Sequence, residues 1–181
     1  MWPEIVASLP AFRGRGLRLV VTYGWEGLRT WDMSPAWQER CDQVEAEVKG
    51  RFAGYDVIFT GRLSKPALAD VLMQSDVCLY PCNFFETFCL TALECQAAGV
   101  PVVTSEFGAL ATTLAPGAGV KIPGHPNSSA YRQQFVRAAV DVLQDAERRR
   151  AMGAAGLVHV AGGPFGWLDV AEQWRRLEWE L

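Results

Sequence analysis

Two carboxylates and a short run of backbone amides are the chemistry this sequence offers most plainly. Glu86 and Glu94 are separated by seven residues and are the sole charged side chains in residues 77–105, which read VCLYPCNFFETFCLTALECQAAGVPVVTS. With a helix starting at Thr87, eight positions advance it by about 80° beyond two full turns and by about 12 Å. The pair then lines one edge of a groove without converging. Such spacing suits two hydroxyl-bearing parts of one elongated ligand better than one metal or one shared proton. The N–H groups of Phe88, Cys89 and Leu90 would point out of the helix start, where unpaired donors and the positive end of the dipole suit a pyrophosphate. The plainer reading makes Glu86 a helix-end charge favoured by the macrodipole and Glu94 a partly exposed surface residue.

The elements around these groups are short and apolar. Residues 77–80 form an apolar run closed by Pro81 and read as a buried strand. Thr87 is a good N-cap type, and Gly99 suits the left-handed turn past a helix. Residues 100–104 are apolar and β-branched, a second buried strand that tolerates Pro101 near its start. Strand, helix and strand in so few residues make a right-handed crossover with parallel strands.

Upstream, Trp2, Ile5, Val6 and Leu9 have helical spacing over residues 2–9, and Pro10 with Gly14-Arg15-Gly16 ends that helix. Strands are expected at 17–23 and 56–60, stopped by Gly24 and Gly61. A loop at 25–32 and a long polar helix from Ser34-Pro35 to Phe52 lie between them, and a further helix over 64–74 follows. The charges of the polar helix read as a solvated face. Downstream, a loop and short helix at 108–113 and a strand at 117–122 precede C-terminal helices over about 129–181. The charges of residues 145–150 read as solvated, and the closing helix carries Trp174, Leu177 and Trp179. Alternating strands and helices with short connections predict an α/β fold, a doubly wound parallel sheet over one domain, 1–181. Ligands of such sheets bind beyond the carboxyl ends of the strands, where Gly24, Gly61, Arg62 and residues 81–83 and 105–108 fall.

At 181 residues the chain is long enough to bury a core. Its formal charge of −3 and pI near 5.4 argue against nucleic acid as a partner and for a small molecule. No apolar run approaches a membrane span, and the N-terminus lacks the regions of a signal peptide. The five cysteines, at 41, 78, 82, 89 and 95, read as reduced, buried residues of a cytoplasmic protein. No metal site is expected: Cys78, Cys82 and Cys89 have no suitably spaced histidine, and His125 and His159 stand alone.

The pattern Glu86-Thr87-Phe88-Cys89-Leu90, then Glu94-Cys95-Gln96-Ala97-Ala98-Gly99-Val100-Pro101-Val102-Val103, resembles the nucleotide-sugar motif of retaining GT-B glycosyltransferases of family 4, also called glycosyl transferases group 1. That motif runs close to E-G-F-G-L, then E-A-x-A-x-G-x-P-V-V; here Thr87 and Cys89 stand at its two glycine places. The resemblance implies a Rossmann-like donor-binding domain and transfer of a sugar from a UDP- or GDP-linked donor to an unknown acceptor, with retention and without an essential metal or other cofactor. It implies Glu86 on hydroxyls of the donor sugar as the catalytic-site residue, Glu94 on the ribose hydroxyls, and Gly61 and Arg62 near the base, with Gly24 at the same strand ends. Arg62 could equally pair with Asp56 or Asp76. Lys65 is not expected to bind phosphate, because it falls where a helix starts.

The resemblance covers nearly the whole chain but one half of a GT-B enzyme. It implies that the N-terminal acceptor domain, the first strand of the donor domain and its basic loop are absent. In the order 3-2-1-4-5-6 that strand is central. The strands at 17–23 and 77–81 should therefore face a gap, pair with each other, or take a strand from another chain; a complete strand within residues 1–16 would contradict this. Partners are then a nucleotide sugar, an acceptor, and an acceptor domain or second chain. A non-catalytic nucleotide-binding or assembly module is the alternative, and an epimerase or phosphorylase of the same fold a more distant one.

Overall fold

The computed structural model describes Met1, Glu4, Ile5 and residues 16–177. Its elements in chain order are β1 (Arg18–Thr22), α1 (Glu26–Arg29), α2 (Pro35–Arg51), β2 (Asp56–Gly61), α3 (Lys65–Met73), β3 (Cys78–Tyr80), α4 (Leu90–Ala97), β4 (Val102–Ser105), α5 (Leu110–Thr113), β5 (Gly119–Ile122), α6 (Ser129–Gln144), α7 (Ala146–Gly162) and α8 (Trp167–Arg176). The single domain expected over 1–181 is laid out as two compact units, one of Leu9–Val71 and one of Met1–Ser8 with Leu72–Leu181.

In the first unit β1 and β2 pair in parallel, from Arg18 opposite Asp56 to Thr22 opposite Gly61. Helix α2 starts as its sequence predicts: the Ser34 hydroxyl accepts from the Trp37 amide at 3.4 Å, with Pro35 first in the helix. Its charges are not simply solvated. Arg29 of α1 reaches Asp42 at 2.6 Å and Glu45 at 2.8 Å, and Lys49 reaches Glu45 at 2.7 Å. Lys49 and Arg29 hold the Glu45 carboxyl below the ordinary carboxylate range. The loop expected at 25–32 thus contains a short helix whose basic last turn is tied to α2.

In the second unit β3, β4 and β5 form one parallel sheet in that order, with Cys78 opposite Val102 and Val102 opposite Gly119. Both faces are covered, as parallel strands require. Successive residues point to opposite sides: Val103 joins Ile122, Tyr131, Phe135, Val142 and Met152 on one face, while Val102 joins Cys95, Val100, Leu114 and Ala118 on the other. The buried Tyr131, Phe135, Ala138 and Val142 are the apolar stripe of α6.

The first sheet has the neighbours expected of the arm 3-2, and the second those expected of the arm 4-5-6. Among the described residues β1 has a ladder to β2 alone, and β3 has one to β4 alone. Residues 2–3 and 6–15, where the first helix and any strand before residue 16 would fall, lie outside the described residues, as does Trp179.

Among the described residues the C-terminal helices expected over about 129–181 are α6, α7 and α8. Residues 145–150 open α7, whose N-cap Asp145 accepts from the Arg148 amide at 2.8 Å. Arg149 is not solvated: its guanidinium donates to Val142 O at 3.0 Å and to Leu143 O, capping α6, and sits 3.5 Å from Asp76. Helix α7 lies close against α4 because its contact residues are glycines. A Cβ on Gly153 would fall 2.2 Å from Gly99 O, and one on Gly156 would fall 3.1 Å from Gln96 Cα.

Gln96 fastens the other side of α4. Its side chain is buried, donates to Ala92 O at 3.0 Å and Thr113 O at 2.9 Å, and accepts from the Ala115 amide at 3.0 Å. Gln96→Leu leaves an amide and a carbonyl buried without partners, each costing about 1–3 kcal/mol. We expect a loss of about 2 kcal/mol in chemical denaturation, whereas an unchanged midpoint would mean that water replaces the side chain.

Candidate functional site

The loop from β3 to α4 carries the first carboxylate. Tyr80, the last residue of β3, donates its hydroxyl to Glu86 Oε1 at 2.7 Å, and the Cys82 sulfur sits 4.0 Å from the same oxygen. Burial, then the bond to Glu86, pushes the Tyr80 hydroxyl far above its usual range, so it remains a donor. The strand end is itself tied down: Thr104 Oγ1 donates to Tyr80 O at 2.8 Å, and Ser105 Oγ to Cys82 O at 2.6 Å. Ser105 also shares a 2.8 Å hydrogen bond with the Tyr131 hydroxyl of α6.

The backbone of Glu86 is clamped as firmly as its carboxylate. The Ala109 amide donates to Glu86 O at 2.8 Å. Gly108 makes this approach possible: its φ is +56°, and a Cβ there would meet Glu86 O at 2.8 Å. Loops 81–89 and 106–109 are thus held side by side at the carboxyl end of the sheet.

Helix α4 begins later than Thr87. It starts at Leu90, with Cys89 as N-cap at φ +62° and without a side-chain capping bond. Thr113 Oγ1 donates to Phe88 O, holding the preceding turn. The left-handed residue at 89 interrupts the helix that Thr87 would have begun, so the helical arithmetic relating Glu86 to Glu94 does not apply: Glu86 is a loop residue and Glu94 lies half-buried in the second turn of α4. Of the three amides expected at the helix start, that of Leu90 opens the helix, Cys89 precedes it, and Phe88 lies in the turn before. The C-terminal end follows the sequence: Gly99 has φ +70°, and Val100 N donates to Cys95 O at 2.9 Å.

In the other unit, Gly24 (φ +63°) and Gly61 (φ +66°) come together at the carboxyl ends of β1 and β2, where a Cβ on Gly24 would lie 3.5 Å from Gly61 Cα. They border a cavity of about 350 Å³ that Glu26, Arg29 and Phe59 also line. Arg62 is exposed. Neither acid that could have claimed it does so: Asp56 pairs with Arg18 at 2.9 Å, and Asp76 with Arg149.

Tyr80 is the residue the sequence reading missed. Its signal was a hydroxyl at the carboxyl end of an otherwise apolar strand, six positions before the carboxylate it holds. All five cysteines are free thiols, four of them buried; contact with the Cys78 thiol, then burial, pushes the Cys95 thiol up. No group of three or more His, Cys, Asp or Glu among the described residues could hold a metal ion, and no helix among them is long and apolar enough to cross a membrane.

Residues 35–158 match the family model described as "Glycosyl transferases group 1". The D-inositol 3-phosphate glycosyltransferase of Kribbella flavida is 35% identical over 127 residues, which is 69% of this chain and 28% of that protein. Among solved structures, sucrose-phosphate synthase from Thermosynechococcus elongatus superposes with a TM-score of 0.66 at 25% identity, over 95% of this chain and 41% of that one. A glycosyltransferase from Rickettsia africae shares the fold with a TM-score of 0.60 at 17% identity, over 96% of this chain and 42% of that one. The chain therefore spans well under half the length of these relatives.

Proposed function

The chain belongs to the group 1 glycosyl transferases, and from that premise we propose that it binds the nucleotide-diphospho-sugar donor of a retaining, metal-independent glycosyl transfer. Glu86 receives hydroxyls of the donor sugar, Glu94 receives the ribose hydroxyls, and the amides around the start of α4 face the diphosphate. As the nucleoside diphosphate departs, negative charge grows on its phosphate oxygens; fixed N–H donors aimed there stabilise that charge without reorganising. The relatives named D-inositol 3-phosphate glycosyltransferase make an inositol phosphate a candidate acceptor class.

The observation that carries this reading is the fixed Glu86 carboxylate. An isolated loop acid would sample many rotamers, whereas this one is held by Tyr80 at 2.7 Å while its own backbone is pinned through Ala109. Such restraint suits recognition of a ligand's hydroxyls at defined positions. Calorimetric titration of the chain with UDP, GDP and ADP and one sugar derivative of each tests the proposal. One nucleotide is expected to bind with its sugar form; a folded chain that binds none of the six contradicts the reading.

A further inference from the structure

The carboxylate stands beside aromatic side chains that the fold does not bury. Phe85, next to Glu86 in the chain, is 66% exposed, and Phe107, next to Gly108, is 42% exposed. Their rings meet edge to face, with centroids 5.5 Å apart and planes at 87°. The clamp that brings Gly108 and Ala109 onto Glu86 also brings these two rings together, so pair and carboxylate form one assembly. Exposed phenylalanines contribute little to the core. Holding two of them in fixed mutual geometry beside an anchored acid favours a ligand with both an apolar face and hydroxyls.

The charge pattern narrows that ligand. No Lys or Arg occurs between residues 77 and 120, and the next, Lys121, donates inward to Ala111 O at 2.6 Å and Leu114 O at 3.0 Å. Along residues 77–120 the chain that carries Glu86 is thus aromatic and acidic, without a lysine or arginine of its own. A pyranose fits: its hydroxyls, spread around the ring, can reach a carboxylate, while its C–H face rests on the negative face of an aromatic ring.

We infer that Phe85 and Phe107 form a stacking platform for the glycosyl ring whose hydroxyls Glu86 receives, a specificity element that rests on the donor-site reading above. The platform acts on the sugar and not on the nucleotide, so the ratio of two dissociation constants reports it. For the nucleotide that the chain binds, affinities for the bare diphosphate and its sugar derivative are compared in the parent chain and in Phe85→Ala and Phe107→Ala. Each variant is expected to weaken the sugar form about tenfold and leave the bare diphosphate unchanged, and Phe107→Tyr is expected to restore the parent ratio. Equal weakening of both forms would mean that the base or diphosphate occupies the rings and would overturn the inference, as would an unchanged ratio in both alanine variants. Failure of the donor-site reading is seen separately, because the parent chain would then bind neither form.

Discussion

Gly153→Ala should lower the stability of the second unit by about 3 kcal/mol, at the upper end for overpacking a close contact, and its melting temperature by about 6–12 °C for a chain of this size. The added methyl would sit 2.2 Å from Gly99 O. That oxygen belongs to the left-handed turn ending α4, so neither side can yield by rotating a flexible side chain. Separating α7 from α4 would also disturb Gly156 against Gln96, and through Gln96 its bonds to Thr113 and Ala115. Gly162→Ala in the same helix is the control: nothing lies within 4 Å of its Cβ position, and replacing glycine there should be neutral or stabilising by about 0.4–1 kcal/mol. Equal melting temperatures for the two variants would mean that α7 and α4 are not in contact as described.

The second large effect is expected at Glu86. Glu86→Gln keeps the shape of the side chain but replaces a charged acceptor with a neutral one. Hydrogen bonds to charged groups contribute about 1.5–3 kcal/mol, so affinity for the sugar nucleotide should fall about 10- to 100-fold. Tyr80→Phe removes the group that holds Glu86 and touches no ligand in this account. Its effect should be smaller, about 3- to 10-fold from a neutral hydroxyl's share, and should largely vanish in the Glu86→Gln background, where there is no fixed charge to position. Full additivity of the two substitutions would show that Tyr80 acts independently of Glu86.

Much of this site was readable from residue types with one strong local preference. Gly99 ends α4 because glycine takes the left-handed conformation at little cost, and Pro81 closes β3 because it cannot donate to a ladder. Ser34 and Pro35 open α2 for equally local reasons. The start of α4 was not readable in the same way. Thr87 is a good cap by type, but Cys89 adopts a positive φ that few non-glycine residues choose, and tertiary ties such as that of Thr113 to Phe88 hold the turn before it. Helix α7 falls within the helical stretch expected over about 129–181, but the role of Gly153 and Gly156 was not readable: both are needed for close approach to α4, a contact nearly 60 residues away in sequence and invisible to local pattern. The same holds for Arg149, whose partners are the carbonyls of the preceding helix end rather than water.

The resemblance at Glu86 and Glu94 pointed to the family that residues 35–158 match, although the helical geometry first connecting the two acids is not the geometry found. What matters for the donor reading is that one acid is anchored in a loop and the other is carried on a helix packed from two sides. Sugar and ribose would then be read by separately supported elements, and a substitution at one need not displace the other.

Calorimetric titration of the parent chain and of Glu94→Ala with the ribonucleoside diphosphate and its 2′,3′-dideoxy analogue tests the donor site most directly. The account predicts that the parent prefers the ribonucleotide by about tenfold or more, as expected for hydroxyls bonded to a carboxylate, and that Glu94→Ala binds both forms with the same weak affinity. A preference for the ribonucleotide that survives in Glu94→Ala would contradict the account, because the ribose would then be read by some other group.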